Sequence, residues 1–329
     1  MYDGLINIYK EKGFTSHDVV ARLRGILRQK KIGHTGTLDP MAEGVLPVLL
    51  GKGTRLAELF SDHDKSYRAE AVFGIETDTE DLTGTILKED FEQAVLSADG
   101  GKAFFDKFEG KIRDAAESFK GIYMQVPPMY SAKKVGGKKL YDIARSGGTV
   151  ERSPAKVEIY DLKILNERFS EVSIVEDGSI KRYLPVFELS VFCSKGTYIR
   201  TLCSDIGKKA GISACMGSLL RDKAGRFTLD KAYKLSEVEE AVKAGTEESM
   251  IMPLKDMLSG CGALIPDKEG VRLALNGNKL ARERISFVKE AEETEKVMAG
   301  LYRVEKPDGS LLGLYRETGD YYRPYKMFI

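Results

Sequence analysis

One short loop decides how this sequence is interpreted: Gly33-His34-Thr35-Gly36-Thr37-Leu38-Asp39-Pro40-Met41-Ala42-Glu43-Gly44. Its three glycines and one proline predict a tight, irregular backbone. Asp39 precedes Pro40, which biases the aspartate backbone towards extended conformations. A polar loop between buried segments can hold a carboxylate rigidly, as a reacting group requires. The same pattern also fits a turn in which Asp39 only caps backbone amides.

The segments on either side of this loop predict a strand, a helix and a second buried element. Leu5 to Tyr9 reads as a strand, and Thr15 or Ser16 is a suitable N-cap for a helix with apolar residues at helical spacing through Leu27. The loop then runs from Gly33, and Val45 to Leu50 is the buried element after it. Lys52 to Phe60 suits another helix.

Alternating and periodic patterns continue through the rest of the chain. The predicted strands are Ser66 to Phe73, Val157 to Leu165 and Leu184 to Cys193. The predicted helices are Phe91 to Phe119, interrupted by Gly100-Gly101, and Thr197 to Ala210. Ser131 to Thr149 is basic and glycine-rich, which predicts an exposed excursion with a short helix around Leu140 to Arg145.

The C-terminal part predicts a separate, small β-rich module. A domain boundary is expected near Ser259-Gly260-Cys261-Gly262. Beyond it, the apolar stretches Leu301 to Val304 and Leu311 to Tyr315 flank Pro307-Asp308-Gly309, which is a β-turn signal. The preceding helices and strands are therefore expected to form a separate, larger domain, followed by the β-rich module.

The total charge hides strong local differences. The 329 residues carry 51 Lys and Arg against 50 Asp and Glu, a formal net charge of +1. Lys120 to Tyr160 contains 8 basic and 3 acidic residues, and Ser194 to Lys234 contains 9 and 3. Asp62 to Glu92 reverses this, with 3 basic and 10 acidic residues. Because salt screens charges beyond about 10 Å, a polyanion would respond to the local segments more than to the total.

Composition and motif tests argue against several other classes of protein. The four Cys have no CxxC pairing and only three His accompany them, so neither a zinc site nor a disulfide scaffold is indicated. No apolar stretch approaches a membrane span, and the N-terminus lacks a signal-peptide core. Gly44 to Gly51-Lys52 has six intervening residues where the Walker pattern needs four, with Gly53 in place of Ser or Thr. We therefore expect a soluble, cytoplasmic protein.

The loop and four further blocks resemble the TruB-type pseudouridine synthases, which modify uridine 55 in the T loop of tRNA. The resemblance covers about residues 1 to 257, in order. Its blocks are Gly33 to Pro47, Asp64-Lys65-Ser66-Tyr67-Arg68, Thr77 to Gly84, Gln125 to Ala132, and Cys193 to Leu202. Five separated blocks in register are far more specific than a single motif. The resemblance implies an α+β catalytic domain over 1–257, built on a mixed, largely antiparallel sheet and carrying an RNA-gripping insertion at about 125–155. It also implies a small, β-rich, PUA-like RNA-binding domain over 262–329.

The resemblance also implies a role for individual residues. Asp39 would be the nucleophile or base, Tyr67 would stack on the flipped uracil and take part in proton transfer, and Arg200 would pair with the catalytic carboxylate. The remaining matches are substrate-binding: Tyr198 and Leu219 in the uracil pocket, His34 in eversion of the nucleotide, and the basic positions Lys10 and Arg55 near the site. Taken alone, Tyr67 also fits a core tyrosine and His34 a structural histidine.

Two departures from the family pattern affect the basic residues. Lys10 stands in Tyr9-Lys10-Glu11-Lys12-Gly13, where the family usually has Asp-Lys-Pro-x-Gly. The usual Leu-Arg-Arg is Leu219-Leu220-Arg221 here, which removes one possible phosphate contact. The basic excursion matches an inserted loop that grips the T-stem loop, with Lys133, Lys134, Lys138 and Lys139 suited to RNA phosphates.

The function expected from this resemblance is isomerisation of uridine 55 to pseudouridine in tRNA. The reaction involves no net redox change or hydrolysis, so neither a metal nor an organic cofactor is expected. The partner is the tRNA T-stem-loop, and we expect a monomer with no obligatory protein partner. Two alternatives remain at this point: a tRNA-binding or folding chaperone of the same fold, and an RNA-guided pseudouridine synthase subunit.

Overall fold

A computed structural model describes residues 1–90, 98–131, 134–135, 138–139, 141, 143, 148, 150–174, 180–290 and 298–329. Side chains are described for these residues except 98–101, 134–135 and 138–139.

Twenty strands lie in the described residues. In chain order they are β1 Gly4–Lys10, β2 Ile32–His34, β3 Glu43–Leu50, β4 Lys65–Phe73, β5 Ile75–Thr77, β6 Ile86–Glu89, β7 Gly121–Gln125, β8 Lys134–Val135, β9 Lys138–Lys139, β10 Ala155–Ile174, β11 Ile180–Cys193, β12 Ala214–Ala224, β13 Phe227–Thr228, β14 Ile251–Pro253, β15 Gly262–Pro266, β16 Leu280–Ala281, β17 Ile285–Lys289, β18 Leu301–Glu305, β19 Leu311–Thr318 and β20 Tyr321–Met327.

Seven α-helices and several 3₁₀ turns complete the described elements. The helices are α1 Ser16–Ile26, α2 Ala57–Ser61, α3 Ala98–Glu117, α4 Ile199–Ala210, α5 Leu235–Ala244, α6 Leu254–Met257 and α7 Lys268–Leu275. Among the helices described, none combines the length and the apolar character needed to cross a membrane.

The chain divides into two compact units. The first unit comprises Met1–Pro40, Gly44–His63 and Phe227–Ile329, and the second comprises Met41–Glu43 and Asp64–Arg226. The chain therefore passes from the first unit to the second directly after Asp39 and Pro40.

Four antiparallel strands of the first unit share a hydrophobic core with helices α1 and α5. Strand β1 pairs with both β14 and β3, and β2 pairs with β3. Helix α1 begins with a capping box, in which Thr15 and Asp18 satisfy each other's backbone N–H groups. One face of α1 buries Val19, Val20 and Leu23 against a core that includes strand residues such as Ile6, Leu46 and Val48.

The first unit also contains a six-stranded sheet in the C-terminal part of the chain. Its order is β16-β20-β19-β18-β15-β17, and β15 runs parallel to β18 while the other pairs are antiparallel. Leu264, Leu280, Val304 and Tyr315 form its core. The predicted turn at Pro307-Asp308-Gly309 joins β18 to β19, and Gly309 has a positive φ of 82°.

The second unit is built on five antiparallel strands in the order β12-β4-β11-β10-β7. Strand β4 buries alternate residues, and Tyr67, Ala69, Ala71 and Phe73 are all at most 7% exposed. The strand predicted over Ser66 to Phe73 is thus confirmed as β4. Helix α4 packs closely on the sheet, since a Cβ on Gly207 would lie 2.5 Å from the Ala214 Cβ.

The structure corrects several predicted boundaries. The loop does not start at Gly33, because Ile32–His34 pairs with β3 as strand β2. Gly100-Gly101 does not interrupt the helix, which runs from Ala98 to Glu117. Strands β10 and β11 extend well beyond the predicted ends because each continues the other's hydrogen-bond ladder to the Ile174–Ile180 pair. The predicted short helix around Leu140 to Arg145 lies largely outside the described residues.

Candidate active site

The residues singled out in the sequence divide between the two units. His34, Asp39, Lys10 and Arg55 belong to the first unit, whereas Tyr67, Tyr198, Arg200 and Leu219 belong to the second.

The backbone around Asp39 is held on both sides. On the N-terminal side, the Ser16 hydroxyl accepts a hydrogen bond from Leu38 N–H at 2.9 Å and donates to the Leu38 carbonyl at 3.2 Å. On the C-terminal side, the Pro40 carbonyl accepts from Gly13 N–H at 2.8 Å and from Lys10 Nζ at 3.2 Å. Asp39 itself is half-buried. Its carboxylate is therefore carried on a backbone that is fixed at both neighbouring residues.

Lys10 is unusual because its side chain is completely buried in β1. Its ammonium group donates to the carbonyls of Pro40 and Glu11, both at 3.2 Å. These carbonyls partly replace the water that a lysine loses on burial. The chain lacks the proline that the family usually has after this lysine, but the Lys10 side chain contacts the backbone of the Asp39 loop directly.

His34 lies in β2, opposite Val48 of β3. It is half-buried, and its ring lies 5.6 Å from that of His17, with the two planes tilted by 53°. Arg55 is exposed, and its guanidinium donates to the Met327 carbonyl of β20.

Tyr67 and Leu219 share one face of the second unit's sheet. Tyr67 of β4 lies opposite Arg221 of β12, and Leu219 lies opposite Ala69. Tyr67 and Leu219 are therefore diagonal neighbours in register, close enough for an aromatic ring to contact an aliphatic side chain. Arg221 is 1% exposed. Leu220, which stands where the family usually has arginine, alternates to the other face of β12 and is half-buried.

Arg200 is buried in the first turn of α4, where backbone carbonyls hold its guanidinium. Its Nη1 donates to the Thr79 carbonyl at 2.9 Å and its Nη2 to the Tyr130 carbonyl at 2.8 Å. The guanidinium also forms an ion pair with Asp81, in which Arg200 Nε lies 3.9 Å from Asp81 Oδ2. Two segments, one with Thr79 and Asp81 and the other with Tyr130, thus fix the arginine in one orientation.

The loop that binds Arg200 is organised around Asp81. One oxygen, Asp81 Oδ1, accepts hydrogen bonds from Thr79 Oγ1 at 2.8 Å, from Thr83 N–H at 2.9 Å and from Thr83 Oγ1 at 2.6 Å. Gly84 is required here, because a Cβ at this position would lie 2.3 Å from Thr79 Oγ1. The Thr77 to Gly84 block therefore builds the Arg200-binding loop.

Glu80 points from the same loop towards α4. Its carboxylate accepts a hydrogen bond from the Thr201 hydroxyl at 2.5 Å. Burial raises the pKa of the Glu80 carboxyl, and the Thr201 hydrogen bond offsets only part of that rise. Glu80 also has a positive φ of 62°, an uncommon backbone conformation for a residue with a side chain.

The N-terminus of α4 is bound by a buried side chain from β7. Gln125 is 1% exposed, its Oε1 accepts from Tyr198 N–H at 2.8 Å, and its Nε2 donates to the Tyr198 carbonyl at 2.9 Å. The half-buried Tyr198 is the N-cap residue of α4. Two residues further along the same helix is Arg200.

The described residues contain no candidate metal site, and the side chains of the lysines predicted to contact RNA lie outside the described part of the chain. No group of three or more His, Cys, Asp or Glu in the described part of the chain could hold a metal ion. Lys133 lies outside the described residues. Lys134, Lys138 and Lys139 belong to the β8–β9 hairpin, but their side chains lie outside what is described.

Comparison with known proteins identifies the family. The model of the "TruB family pseudouridylate synthase (N terminal domain)" matches residues 24–199, and that of the "tRNA pseudouridylate synthase B C-terminal domain" matches residues 200–263. The chain belongs to the TruB family. The proposed active-site residues Asp39, Tyr67 and Tyr198 lie within the first match, while Arg200 and Leu219 lie within the second.

Relatives in the TruB family extend over nearly the whole chain. A tRNA pseudouridine synthase B of Lachnoclostridium phytofermentans is 41% identical over 99% of this chain and 100% of its own. The protein of that name from Staphylococcus aureus strain MSSA476 is 42% identical over 91% of this chain and 94% of its own.

A solved structure shows the same fold at greater sequence distance. A chain in the structure of a Cbf5-Nop10-Gar1 complex aligns with a TM-score of 0.66 and 24% identity, covering 99% of this chain and 85% of that one. This likeness confirms the α+β fold with its mixed, largely antiparallel sheet and the C-terminal β-rich part.

Sequence reasoning missed the residues that support the proposed TruB-family site. The sequence predicts Ser16 only as a candidate helix cap, but its hydroxyl binds the backbone of the Asp39 loop. Gln125 and Asp81 lie within two of the family blocks, but the sequence predicts no role for either side chain. The one sequence signal for a role of Gln125 and Asp81 is that their blocks contain no other candidate site residue. Their contacts cannot be predicted from the sequence, because they depend on packing between distant segments.

Proposed function

We propose that this chain isomerises uridine 55 in the T loop of tRNA to pseudouridine. The observation that carries the proposal is the Asp39 loop: its sequence matches the TruB motif, and hydrogen bonds hold Leu38 and Pro40 on both sides of the carboxylate. The relatives that are 41% and 42% identical carry the name tRNA pseudouridine synthase B. A chaperone without catalysis would not require a carboxylate fixed in this way.

In the proposed reaction, atoms are rearranged within one nucleotide. The N1–C1′ glycosidic bond breaks, the uracil rotates, and a C5–C1′ bond forms, while C5 loses a proton and N1 gains one. Asp39 is the proposed nucleophile or base. A fixed backbone at Leu38 and Pro40 favours this role, because a reacting group gains most when it is held in position before the substrate arrives.

Residues of the second unit are proposed to hold the uracil. Tyr67 stacks on the base and takes part in proton transfer, while Leu219 and Tyr198 line the pocket. The shared sheet face of Tyr67 and Leu219 supports this, because it joins an aromatic surface to an aliphatic one. Extruding a base costs a few kcal/mol of unstacking, and stacking on Tyr67 would offset part of that cost. His34 is proposed to help evert the nucleotide.

Arg200 is proposed to pair with the Asp39 carboxylate during the reaction. Its support is the family match together with the two carbonyls that hold the guanidinium in a fixed orientation. An oriented arginine beside a carboxylate favours the ionised form. Lys10 is proposed to fix the loop that carries Asp39, and Arg55 to be a basic position near the site.

The remaining proposals concern binding of the whole tRNA. We propose a catalytic domain over 1–257, in which Lys133, Lys134, Lys138 and Lys139 of the insertion at about 125–155 contact phosphates. We propose that 262–329 is a PUA-like RNA-binding domain. Since tRNA is the substrate, the proposed place of action is the cytoplasm. The protein is proposed to act as a monomer without an obligatory protein partner, which light scattering of the active enzyme would test.

The direct test of the function is a map of pseudouridine in tRNA. Cells that lack this protein should lose pseudouridine at position 55 and keep it at other tRNA positions. Adding back the intact gene should restore the modification, and adding back Asp39→Asn should not. Full pseudouridine at position 55 in the deletion strain would contradict the proposal.

A further inference from the structure

Gln125 makes a contact that neither the family motif nor the proposed reaction explains. Its carboxamide binds both backbone polar groups of Tyr198, a residue 73 positions further along the chain. The side chain is 1% exposed, so water does not compete for these hydrogen bonds. A two-point contact of this kind fixes both the position and the rotation of the Tyr198 peptide groups.

The location of this contact gives it a specific consequence. Tyr198 is the N-cap of α4, and its own side chain makes no capping hydrogen bond. The Tyr198 carbonyl also accepts from Leu202 N–H at 3.1 Å, which starts the helix. Gln125 therefore binds the N–H of the N-cap residue, the group that the Glu or Gln of a capping box binds in other helices. The Tyr198 side chain takes no part in this contact and is the one proposed to line the uracil pocket.

A second contact between the same strand and helix provides an internal comparison. The Tyr123 hydroxyl of β7 donates to the Asp205 carboxylate of α4, and Gln125 Nε2 lies 3.4 Å from the Tyr123 oxygen. Burial, reinforced by the hydrogen bond to Asp205, raises the pKa of the Tyr123 hydroxyl. The Tyr123 contact ties β7 to the middle of α4, whereas the Gln125 contact ties β7 to its N-terminus.

We infer that Gln125 is a positioning residue for pseudouridine formation, acting through Tyr198 and, two residues later, Arg200. The inference rests on the proposed function, because Tyr198 and Arg200 have their roles only in that reaction. Loss of the two hydrogen bonds would let the first turn of α4 shift relative to the uracil. A displacement of about 1 Å in a positioning group can lower turnover by about a hundredfold.

The first experiment compares Gln125→Met with Tyr123→Phe in steady-state kinetics on a T-stem-loop RNA. Methionine keeps the length of glutamine without its hydrogen bonds. Phenylalanine removes the Asp205 contact and the 3.4 Å contact with Gln125 Nε2, but it leaves both hydrogen bonds between Gln125 and Tyr198. We expect kcat of Gln125→Met to fall about tenfold or more, with RNA affinity within about threefold of wild type. Tyr123→Phe should keep kcat within about threefold of wild type, even if its melting temperature falls as much as that of Gln125→Met. Equal losses of kcat in the two variants would overturn the inference.

Gln125→Glu keeps the inference testable if the methionine variant does not fold. A carboxylate at this position accepts from Tyr198 N–H but cannot donate to the Tyr198 carbonyl, whereas a protonated carboxyl does both. The titratable groups around it are the Tyr123 hydroxyl, Asp205, which accepts from that hydroxyl, and Glu80, whose charge also acts on Tyr123. We expect the ratio of kcat for Gln125→Glu to kcat for wild type to rise as the pH falls. A ratio that does not depend on pH would overturn the inference.

The wild-type protein separates this inference from the function on which it rests. If wild type forms no pseudouridine in the T-stem-loop, the proposed function is wrong. If wild type is active and Gln125→Met has unchanged kcat, the function stands and the positioning role of Gln125 is wrong.

Discussion

Ser16 and Leu38 lie 22 residues apart in the chain and exchange two hydrogen bonds through one hydroxyl group. Ser16 opens helix α1, and Leu38 directly precedes Asp39 in the loop. The first turn of a helix is therefore bonded to the backbone next to the proposed nucleophile. This relationship makes the geometry of the loop depend on a residue that carries no chemistry itself.

Replacing Ser16 by alanine should impair turnover more than its effect on stability explains. Loss of the two hydrogen bonds should lower the free energy of unfolding by about 1 to 3 kcal/mol. Because the Asp39 loop loses one anchor, kcat should fall by about tenfold. The matched control is Thr15→Ala, which removes the helix cap at a cost of about 1 kcal/mol but leaves the Ser16–Leu38 contact. If both variants lose the same fraction of kcat, the anchoring role of Ser16 is wrong.

Arg200→Lys should lower kcat strongly although the charge is kept. A lysine has a single nitrogen in place of the guanidinium fork, so it cannot reach the Thr79 and Tyr130 carbonyls in the same geometry. We expect kcat to fall about a hundredfold or more, measured on the T-stem-loop at saturating RNA. The control is Arg272→Lys on the surface of α7, which should leave kcat unchanged. Near-normal turnover of Arg200→Lys would show that only the charge matters.

Glu80→Gln should change how stability depends on pH. The pKa of Glu80 is raised in the folded protein from its ordinary value of 4.5. The folded state is therefore favoured at low pH, and this contribution is lost as the pH rises from 4.5 through the raised pKa. Glutamine can still accept the Thr201 hydrogen bond but does not ionise. The variant should gain unfolding free energy relative to wild type between pH 4.5 and pH 7 in urea titrations. A constant difference across this range would rule out the assigned burial effect.

The predicted elements that local patterns determine agree well with the structure. Strand β4 and helix α1 form where they were predicted, because their sequences show a clear period of 2 and of 3.6 residues. Helix α3 continues through Gly100-Gly101 because packing elsewhere along a long helix can outweigh the low helix propensity of two glycines. Strand β2 was missed because three residues are too few to show a period.

The proposed site was only partly accessible to sequence reasoning. Asp39 could be singled out from the glycines and proline around it, and Tyr67 from the strand pattern and the family block. The supporting contacts could not, since Ser16–Leu38, Gln125–Tyr198 and Arg200–Thr79 each join distant segments. Such contacts follow from tertiary packing, which no local pattern encodes.

The basic insertion should contribute an electrostatic part of the tRNA affinity. Neutralising Lys133, Lys134, Lys138 and Lys139 should weaken binding and reduce the slope of log affinity against log salt, by about 0.9 for each lost duplex phosphate contact. The control neutralises the exposed lysines Lys102, Lys107, Lys111 and Lys163, which should leave the slope unchanged. If the insertion variant keeps the wild-type slope, these lysines do not contact phosphate.

The central claim is that the Asp39 carboxylate reacts with uridine 55, and Asp39→Asn tests it most directly. The change preserves the size of the side chain and leaves the backbone contacts of Leu38 and Pro40 in place. Turnover of a T-stem-loop RNA should be abolished, while the dissociation constant for that RNA stays within about tenfold of wild type. Near-normal pseudouridine formation by Asp39→Asn would contradict the account.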